Sequence, residues 1–572
     1  MSRTLFLPFL LVSCAGGPAA APPFELPGLY YRMLQEATEG LEARLETEGV
    51  RAHTGAVLAG AVLYASAHPA NPCRGDRTKL GLALRAGDLM AVESESGRMT
   101  WLNHRWLLAG WIDAWRLLEK ELGDERRARW RREIEKHLKD AEIDVAEREN
   151  FPRYASPFIR TSPNHLSIWA STLYQGGQVF GIPEWLRLGG RVMNRFVREE
   201  QAPDGYWGEH SEAGPTTGYN FLTTASVALY WEHSRDPDAL AALRRATDFH
   251  SHFTWPDGTP VEVINDRNRQ WGASPWGHFG FSNFPDGRRF AAFLTGILRG
   301  RKPQGESLTR IAQNALYFHE GAAQAIPRDR EAWTYRMKVP AAMRKEGRWW
   351  VCLSGLLATP SPRNQFYLDR QGHLSVTHEK TGLIVTGANS KHQPELATFS
   401  ETIQGQVYHL PLSGRLESTD RLSLSYNSFW ADLEVRLPSA RKLDAEVRVT
   451  EMGRIEEAQL TLQLVLKAGE TLETASKKIV LGADRVELGP EDVGGTVRHR
   501  GWTMRVDPSA RLVWPVFPFN PYANGPETRL EHAVGALSVP LRCQPGAGRL
   551  RTQRIEFSIE VAEPETVPAD RR

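Results

Sequence analysis

The hydrophobic period changes once along this chain, and that change fixes its gross organisation. From about residue 25 to 330 the apolar side chains recur at helical spacing. Tyr30, Leu34, Ala37, Leu41 and Leu45 mark one face, and Trp101, Leu108, Trp111, Ile112 and Trp115 part of another. Further helices are predicted over 55–67, 78–92, 124–146, 165–180, 184–199, 221–233, 238–253, 287–299 and 306–325, with Asp236-Pro237-Asp238 as a capped start. After about residue 345 short alternating segments take over, among them Trp349-Trp350-Val351, Gln365 to Leu368, Leu374 to His378, Ala431 to Leu437, Gln459 to Leu466 and Ile555 to Val561. They are separated by Gly, Pro, Asp and Asn. The first half reads as an (α/α) toroid of helical hairpins or a curved array, the second as an antiparallel β-sandwich. The expected division is a toroid over 25–340, a sandwich over 345–562 and a flexible, charged tail over 563–572.

With 572 residues and 41% hydrophobic composition the chain can bury two large cores. Its 70 Lys and Arg nearly cancel 68 Asp and Glu, so no basic excess points to nucleic acid. The run Arg126 to Arg132 reads as a solvated helix face, because Glu133, Glu135 and Lys136 follow it. Residues 1–24 read as an export signal and tether: one Arg, an apolar stretch from Leu5 to Val12, then Leu11-Val12-Ser13-Cys14, which looks like a bacterial lipobox with Cys14 as the lipid-modified residue. The expected location is the cell envelope, with Cys14 as the membrane anchor, or secretion if the signal is an ordinary cleaved one. No later segment is long and apolar enough to span a bilayer. Cys73, Cys352 and Cys543 are widely separated and form no zinc motif.

Chemistry-bearing residues concentrate in two places. The stretch Pro203 to Asn220 opens on a Pro-Asp-Gly turn, gathers Tyr206, Trp207, Glu209 and His210, and ends at Tyr219-Asn220 before an apolar helical pattern. The same Pro-Asp-Gly text recurs at 256–258 and 285–287, where turns are also expected. Upstream, Ser162-Pro163 precedes Asn164-His165 at the head of another helical run. A helix N-terminus favours an anionic ligand, a carboxamide can clamp a carboxylate, and an imidazole titrates near neutral pH. The plainer alternative makes Asn164 an N-cap and His165 an exposed first-turn residue.

In these residues the chain resembles the α/α-toroid polysaccharide lyases with a C-terminal β-sandwich, the heparinase II/III-like enzymes and related alginate lyases. In those alginate lyases an Asn-His pair and a Tyr about 55 residues later form the site, the spacing of Asn164 and Tyr219 here. Asp204 to Trp207, Gly218 to Asn220 and Phe366-Tyr367-Leu368-Asp369, expected as a strand, also look like that family. The resemblance implies β-elimination on an acidic polysaccharide bearing 4-O-linked uronic acid. Asn164 would stabilise the charge that develops on the carboxylate, with Arg267 or Arg269 helping. Tyr219 would be the acid, and Tyr219 or His165 the base according to the stereochemistry at C5. A phenol needs nearby positive charge to act as a base at neutral pH, which His210 and the two arginines can supply. Trp207, Glu209, His210, Arg267 and Arg269 are thus the expected substrate-binding set.

The family's second tyrosine, from the β-domain, stays open among Tyr367, Tyr408 and Tyr426. No cofactor is required; Asp369, His373, His378 and His392 are the side chains available if the sandwich holds a structural metal. Two rival functions use the same sequence. A glycoside hydrolase would pair carboxylates drawn from Glu209, Glu212 and Glu262. A non-catalytic envelope protein would use its aromatic side chains, drawn from 18 Trp, to bind sugars.

Overall fold

The computed structural model describes residues 26–50, 53–100, 106–149, 163–208, 214–265, 272–358, 364–453, 455–523, 525–545 and 551–562. Helices occupy the first part: Leu26–Thr38, Leu41–Glu48, Ala56–Ala65, Arg77–Glu95, Leu108–Leu118, Gly123–Glu149, Pro163–Phe180, Pro183–Arg195, Thr217–Ser234, Pro237–His252, Pro285–Leu298 and Gly305–Tyr317. The expected capped start is present: the Asp236 side chain accepts from the Asp238 amide at 2.9 Å, with Pro237 at the first helical position. Pro285-Asp286-Gly287 is a helix start and not a turn. Pro285 sits where its missing N–H is no loss, and Asp286 in the same first turn takes a 2.6 Å bond from Arg244.

The helices close into a toroid because the first meets the last. The Tyr31 hydroxyl donates to the Ala315 carbonyl at 3.2 Å, and Tyr30 donates to His278 Nδ1 at 2.8 Å. Gly55 lets the backbones touch at this seam: a Cβ there would lie 2.4 Å from the Gly305 carbonyl. The arginine run forms a ladder between two outer helices, with Arg126 on Asp88 and Arg129 and Arg132 on Glu95. Trp130 turns inward from that run and is fully buried. No helix among the described residues is long and apolar enough to cross a membrane.

Strands begin at Ala332 and form two large antiparallel sheets and a two-stranded ribbon of Phe519–Asn520 with Gly525–Pro526. The first runs in the order Ala332–Arg336, Ala341–Glu346, Trp349–Ser354, Leu374–His378, Gly382–Thr386, Glu457–Leu464, Val534–Pro540, Arg511–Val516, Val486–Leu488. The second runs Lys478–Val480, Thr471–Thr474, Thr496–His499, Trp502–Arg505, Arg551–Val561, Lys442–Glu451, Phe429–Ser439, Arg421–Ser425, Ser413–Leu416. The segment Phe366 to Asp369 is not a strand. Asn364 folds it into a turn by accepting from the Phe366 amide at 2.9 Å, and only Asp369 makes a lone bridge, to Ser390.

The two sheets differ in their surroundings. The strand Phe429–Ser439 alternates buried and exposed residues, with Leu433 and Val435 on the sandwich core and Trp430 and Arg436 in water. Every residue of Trp349–Ser354 is buried. Its odd-numbered members, Trp349, Val351 and Leu353, face the second sheet, and its even-numbered Trp350 and Cys352 pack on Phe253, Trp255, Val261 and Val263 of the toroid. The toroid therefore sits on the back of the first sheet.

Polar groups key that contact. Glu262 is 2% exposed, and its carboxylate accepts from Trp255 Nε1 at 2.6 Å, Ser375 Oγ at 2.6 Å and Thr386 Oγ1 at 2.9 Å. Asn389 donates to the Asn265 carbonyl at 2.7 Å. The Arg370 guanidinium donates to the Ile264 carbonyl at 2.8 Å and to the Pro215 carbonyl at 3.3 Å.

Candidate active site

Asn164 and Tyr219 stand in the first turns of the helices Pro163–Phe180 and Thr217–Ser234. The two helices run side by side in the same direction. At their C-terminal ends Gln178 Nε2 donates to the His233 carbonyl at 3.0 Å, and Tyr174 meets Tyr230 edge-on with ring centres 5.1 Å apart. Gln178 and His233 are 55 residues apart, and so are Asn164 and Tyr219. Fourteen residues back from the first pair is just under four helical turns, so the second pair returns to nearly the same faces, about 21 Å toward the N-termini. Both helix N-termini, with their partial positive charge, thus lie at one end of the toroid. Asn164 lies inside the helix that starts at Pro163 and is 1% exposed, so it is not the N-cap.

His165 is half-buried between aromatic rings. Trp106 meets its ring at 5.4 Å and 65°, and Trp169, one helical turn on, at 5.7 Å and 39°. Trp106 in turn stands perpendicular to Trp276, 6.1 Å away. Tyr219 is partly buried against the toroid core. Neither Trp106 nor Trp276 stands out in the sequence, because each lies beside a loop and far along the chain from His165.

The Pro203 to Gly208 loop is rigid, for reasons visible residue by residue. Gly205 takes the left-handed conformation, φ 92°, and approaches the Arg245 carbonyl so closely that a Cβ would sit 2.2 Å from it. Both carboxylate oxygens of Asp204 accept from the Lys338 amide, at 2.9 and 3.0 Å; burial raises the Asp204 pKa against these bonds. At the other end Asn220 Oδ1 accepts from the Trp207 amide at 2.9 Å, while Asn220 Nδ2 donates to His250 Nε2 at 3.0 Å. Burial holds the His250 pKa at about 3, so the imidazole is neutral and accepts.

That rigidity corrects one expected binding residue. Trp207 is 1% exposed and stacks on Phe196, ring centres 5.5 Å apart and 2° from parallel, so it fills the core and offers no face to a sugar. Tyr206 packs likewise into the contact with the sandwich. Glu209, His210, Glu212, Arg267 and Arg269 lie outside the described residues. The structure adds Arg370, a sandwich arginine whose bond to Pro215 comes two residues before the Tyr219 helix. Its neighbours along the chain carry no sign of that reach.

The three β-domain tyrosines part company. Tyr426 is fully buried in the sandwich core, stacked on Phe429, and burial pushes its hydroxyl well above the usual phenol range. Tyr408 lies on an exposed strand and bonds Gln406 at 3.1 Å. Tyr367 closes the Asn364 turn, its carbonyl accepting from Lys391 Nζ at 2.5 Å. The four residues considered for a structural metal are not gathered. His373 Nδ1 donates to the Ser354 carbonyl and His378 Nε2 to the Ala440 carbonyl, while Asp369 accepts from the His392 amide and from His409 Nε2 at 3.0 Å. Among the described residues no group of three or more His, Cys, Asp or Glu is arranged to hold a metal ion.

The fold is that of the polysaccharide lyases that join an (α/α) toroid to a β-sandwich. A chondroitin AC lyase from Streptomyces coelicolor A3, solved in complex with chondroitin sulphate, matches 96% of this chain and 81% of its own with TM-score 0.50 and 11% identity. A heparinase III matches 80% of this chain and 69% of its own, with TM-score 0.47 and 11% identity. A heparan sulfate lyase from Pedobacter heparinus matches 89% and 75%, with TM-score 0.43 and 11% identity. No family model matches the chain, and no curated protein matches it in sequence.

Proposed function

We propose that the protein is an exported polysaccharide lyase that cleaves a 4-O-linked, uronic-acid-containing polysaccharide by β-elimination. The observation that carries the reading is the placement of Asn164-His165 and Tyr219 in the first turns of two parallel, neighbouring helices. The fold shared with the chondroitin lyase supports it. Removing the C5 proton builds negative charge on the adjacent carboxylate. Two helix N-termini and the Asn164 carboxamide stabilise that charge, an effect of the oxyanion-hole type that contributes on the order of a few kcal/mol. Tyr219 protonates the departing 4-oxygen, and Tyr219 or His165 accepts the C5 proton, each proton transfer contributing about 10²–10⁴-fold. His210, Arg267 and Arg269 are proposed to complete the positive surroundings. The sequence of residues 1–24, which lie outside the described residues, supports the export part of the proposal, with Cys14 as the proposed lipid anchor; a Cys14→Ser protein is expected in the soluble fraction of a host that retains the wild type on its membranes.

The paired-carboxylate alternative loses one of its acids. Glu262 is buried between the domains and holds three donors, which suits cement and not a solvent-facing general acid. The test is to incubate residues 24–572 with alginate, heparan, hyaluronan, chondroitin and ulvan and to follow the ultraviolet absorbance of unsaturated uronates. A rise that Tyr219→Phe and His165→Ala both abolish is expected. New reducing ends without absorbance would move the assignment to a hydrolase, and binding without products to a sugar-binding protein.

A further inference from the structure

The helix Gly305–Tyr317 closes the toroid ring, and one of its faces holds two distant segments at once. Arg310 is 2% exposed. Its Nη2 donates to the Trp106 carbonyl at 2.6 Å and its Nη1 to Gln313 Oε1 at 2.6 Å, while the guanidinium carbon lies 3.8 Å from the centre of the Trp276 ring. One turn on, Asn314 donates to the Pro275 carbonyl at 2.9 Å and accepts from the Phe279 amide at 3.3 Å. Burial lowers the Arg310 pKa to about 10, which leaves it charged at neutral pH; Glu306 lies 3.6 Å away.

A buried guanidinium is an expensive anchor for a turn between helices, since desolvation costs several kcal/mol and an apolar side chain of similar volume fills such a space as well. What Arg310 does that an apolar residue cannot is fix a plane and a carbonyl together. Trp276 lies on its face, Trp106 hangs from its Nη2, the two indoles stand perpendicular, and Trp106 is the ring that meets His165 at 5.4 Å. We infer that Arg310 is a positioning residue for His165, acting through Trp106 and Trp276 to set the orientation of the imidazole. The inference rests on the reading of His165 as a catalytic group.

Misplacing a catalytic group by about 1 Å costs on the order of 10²-fold in rate. Arg310→Met keeps the volume and removes the bonds; it is expected to lower kcat by about 10²-fold with KM within about twofold, and Arg310→Lys, which restores the charge and one bond, to recover about tenfold of that. A purely structural role would lower thermal stability and leave the kcat of the folded protein unchanged, as well as making no distinction between the two variants. Wild-type kcat in folded Arg310→Met therefore overturns the inference. If Arg310→Met does not fold, Arg310→Lys decides alone: lowered kcat at constant KM supports the clamp, and wild-type kcat overturns it. The clamp also has a readout that needs no activity. The perpendicular Trp106–Trp276 pair contributes an exciton signal to circular dichroism, isolated as the difference between wild type and Trp276→Phe. Its loss in an Arg310 variant supports the clamp, and its survival overturns it. A wild type without lyase activity but with that loss would contradict the catalytic reading of His165 and leave the clamp standing.

Discussion

The helices Pro163–Phe180 and Thr217–Ser234 carry carboxamides, imidazoles and phenols at both ends, and the two ends are built differently. At the C-terminal end Gln178 and His233 exchange hydrogen bonds, Tyr317 donates to Asp113, and the Arg116 guanidinium lies 3.3 Å from both Asp113 and Tyr317. Burial, then the nearby Arg116 and Arg235, hold the His233 pKa at about 3; burial raises that of Asp113 and pushes Tyr317 well above the usual phenol range. This end consumes its own polar groups, and its helix C-termini carry partial negative charge that disfavours an anionic substrate. At the other end Asn164, His165 and Tyr219 lie at helix N-termini, beside the loop that Arg370 joins to the sandwich. Residue type alone does not distinguish the two ends, since both have the same types. Helix direction and the neighbouring domain separate them.

Matched tyrosine substitutions at the two ends are expected to have the largest and most different effects. Tyr219→Phe is expected to lower kcat/KM by about 10²–10⁴-fold with an unchanged melting temperature, and Tyr317→Phe to keep the activity while losing stability; kinetics and thermal melts of the two variants check this. Equal loss of activity in both would erase the distinction between the ends. Trp207→Ala is expected to cost about 3–5 kcal/mol in denaturant unfolding, as a core tryptophan does, and Trp207→Phe much less, with near-normal KM in the folded protein. A large rise in KM for Trp207→Phe would return that residue to the substrate.

Acid sharpens the contrast next. Burial keeps His250 at about 3 and His278 and His373 at about 4, all below the usual histidine value. As pH falls below about 6.5 the unfolded chain takes up protons that these folded sites refuse, so each lowers stability by up to about 1.4 kcal/mol per pH unit until its folded pKa is reached. Unfolding free energy measured from pH 7 to 4 should fall steeply, and less so in His250→Gln. The smallest effect belongs to the wet face of the second sheet. Arg448→Ala, an exposed partner of Glu446, is expected to change stability by less than about 1 kcal/mol.

The helices were legible because their apolar period runs for a dozen residues or more; the predicted 165–180 and 238–253 fall within a few residues of Pro163–Phe180 and Pro237–His252. Pro285-Asp286-Gly287 misled because the same three residues suit a turn and a helix start; here the helix Pro285–Leu298 begins on them, with Arg244 bonded to Asp286. Asn164, His165 and Tyr219 are linked in the sequence only by a spacing, and a pair of parallel helices brings the first turns that carry them to the same end. Trp207 was misread because an aromatic residue in a polar loop looks exposed until Phe196 is known to lie beneath it. Trp106, Trp276, Arg310 and Arg370 were illegible, since each acts through a contact that ring closure or domain packing creates across a long stretch of chain.

The front end of this helix pair is proposed to perform an elimination. The most direct measurement counts, on whichever uronate polymer is cleaved, unsaturated uronate ends against new reducing ends for the wild type and for Tyr219→Phe. One unsaturated end per reducing end in the wild type, with both lost together in the variant, is the predicted result. Reducing ends without unsaturated ends, or full activity in Tyr219→Phe, would contradict it.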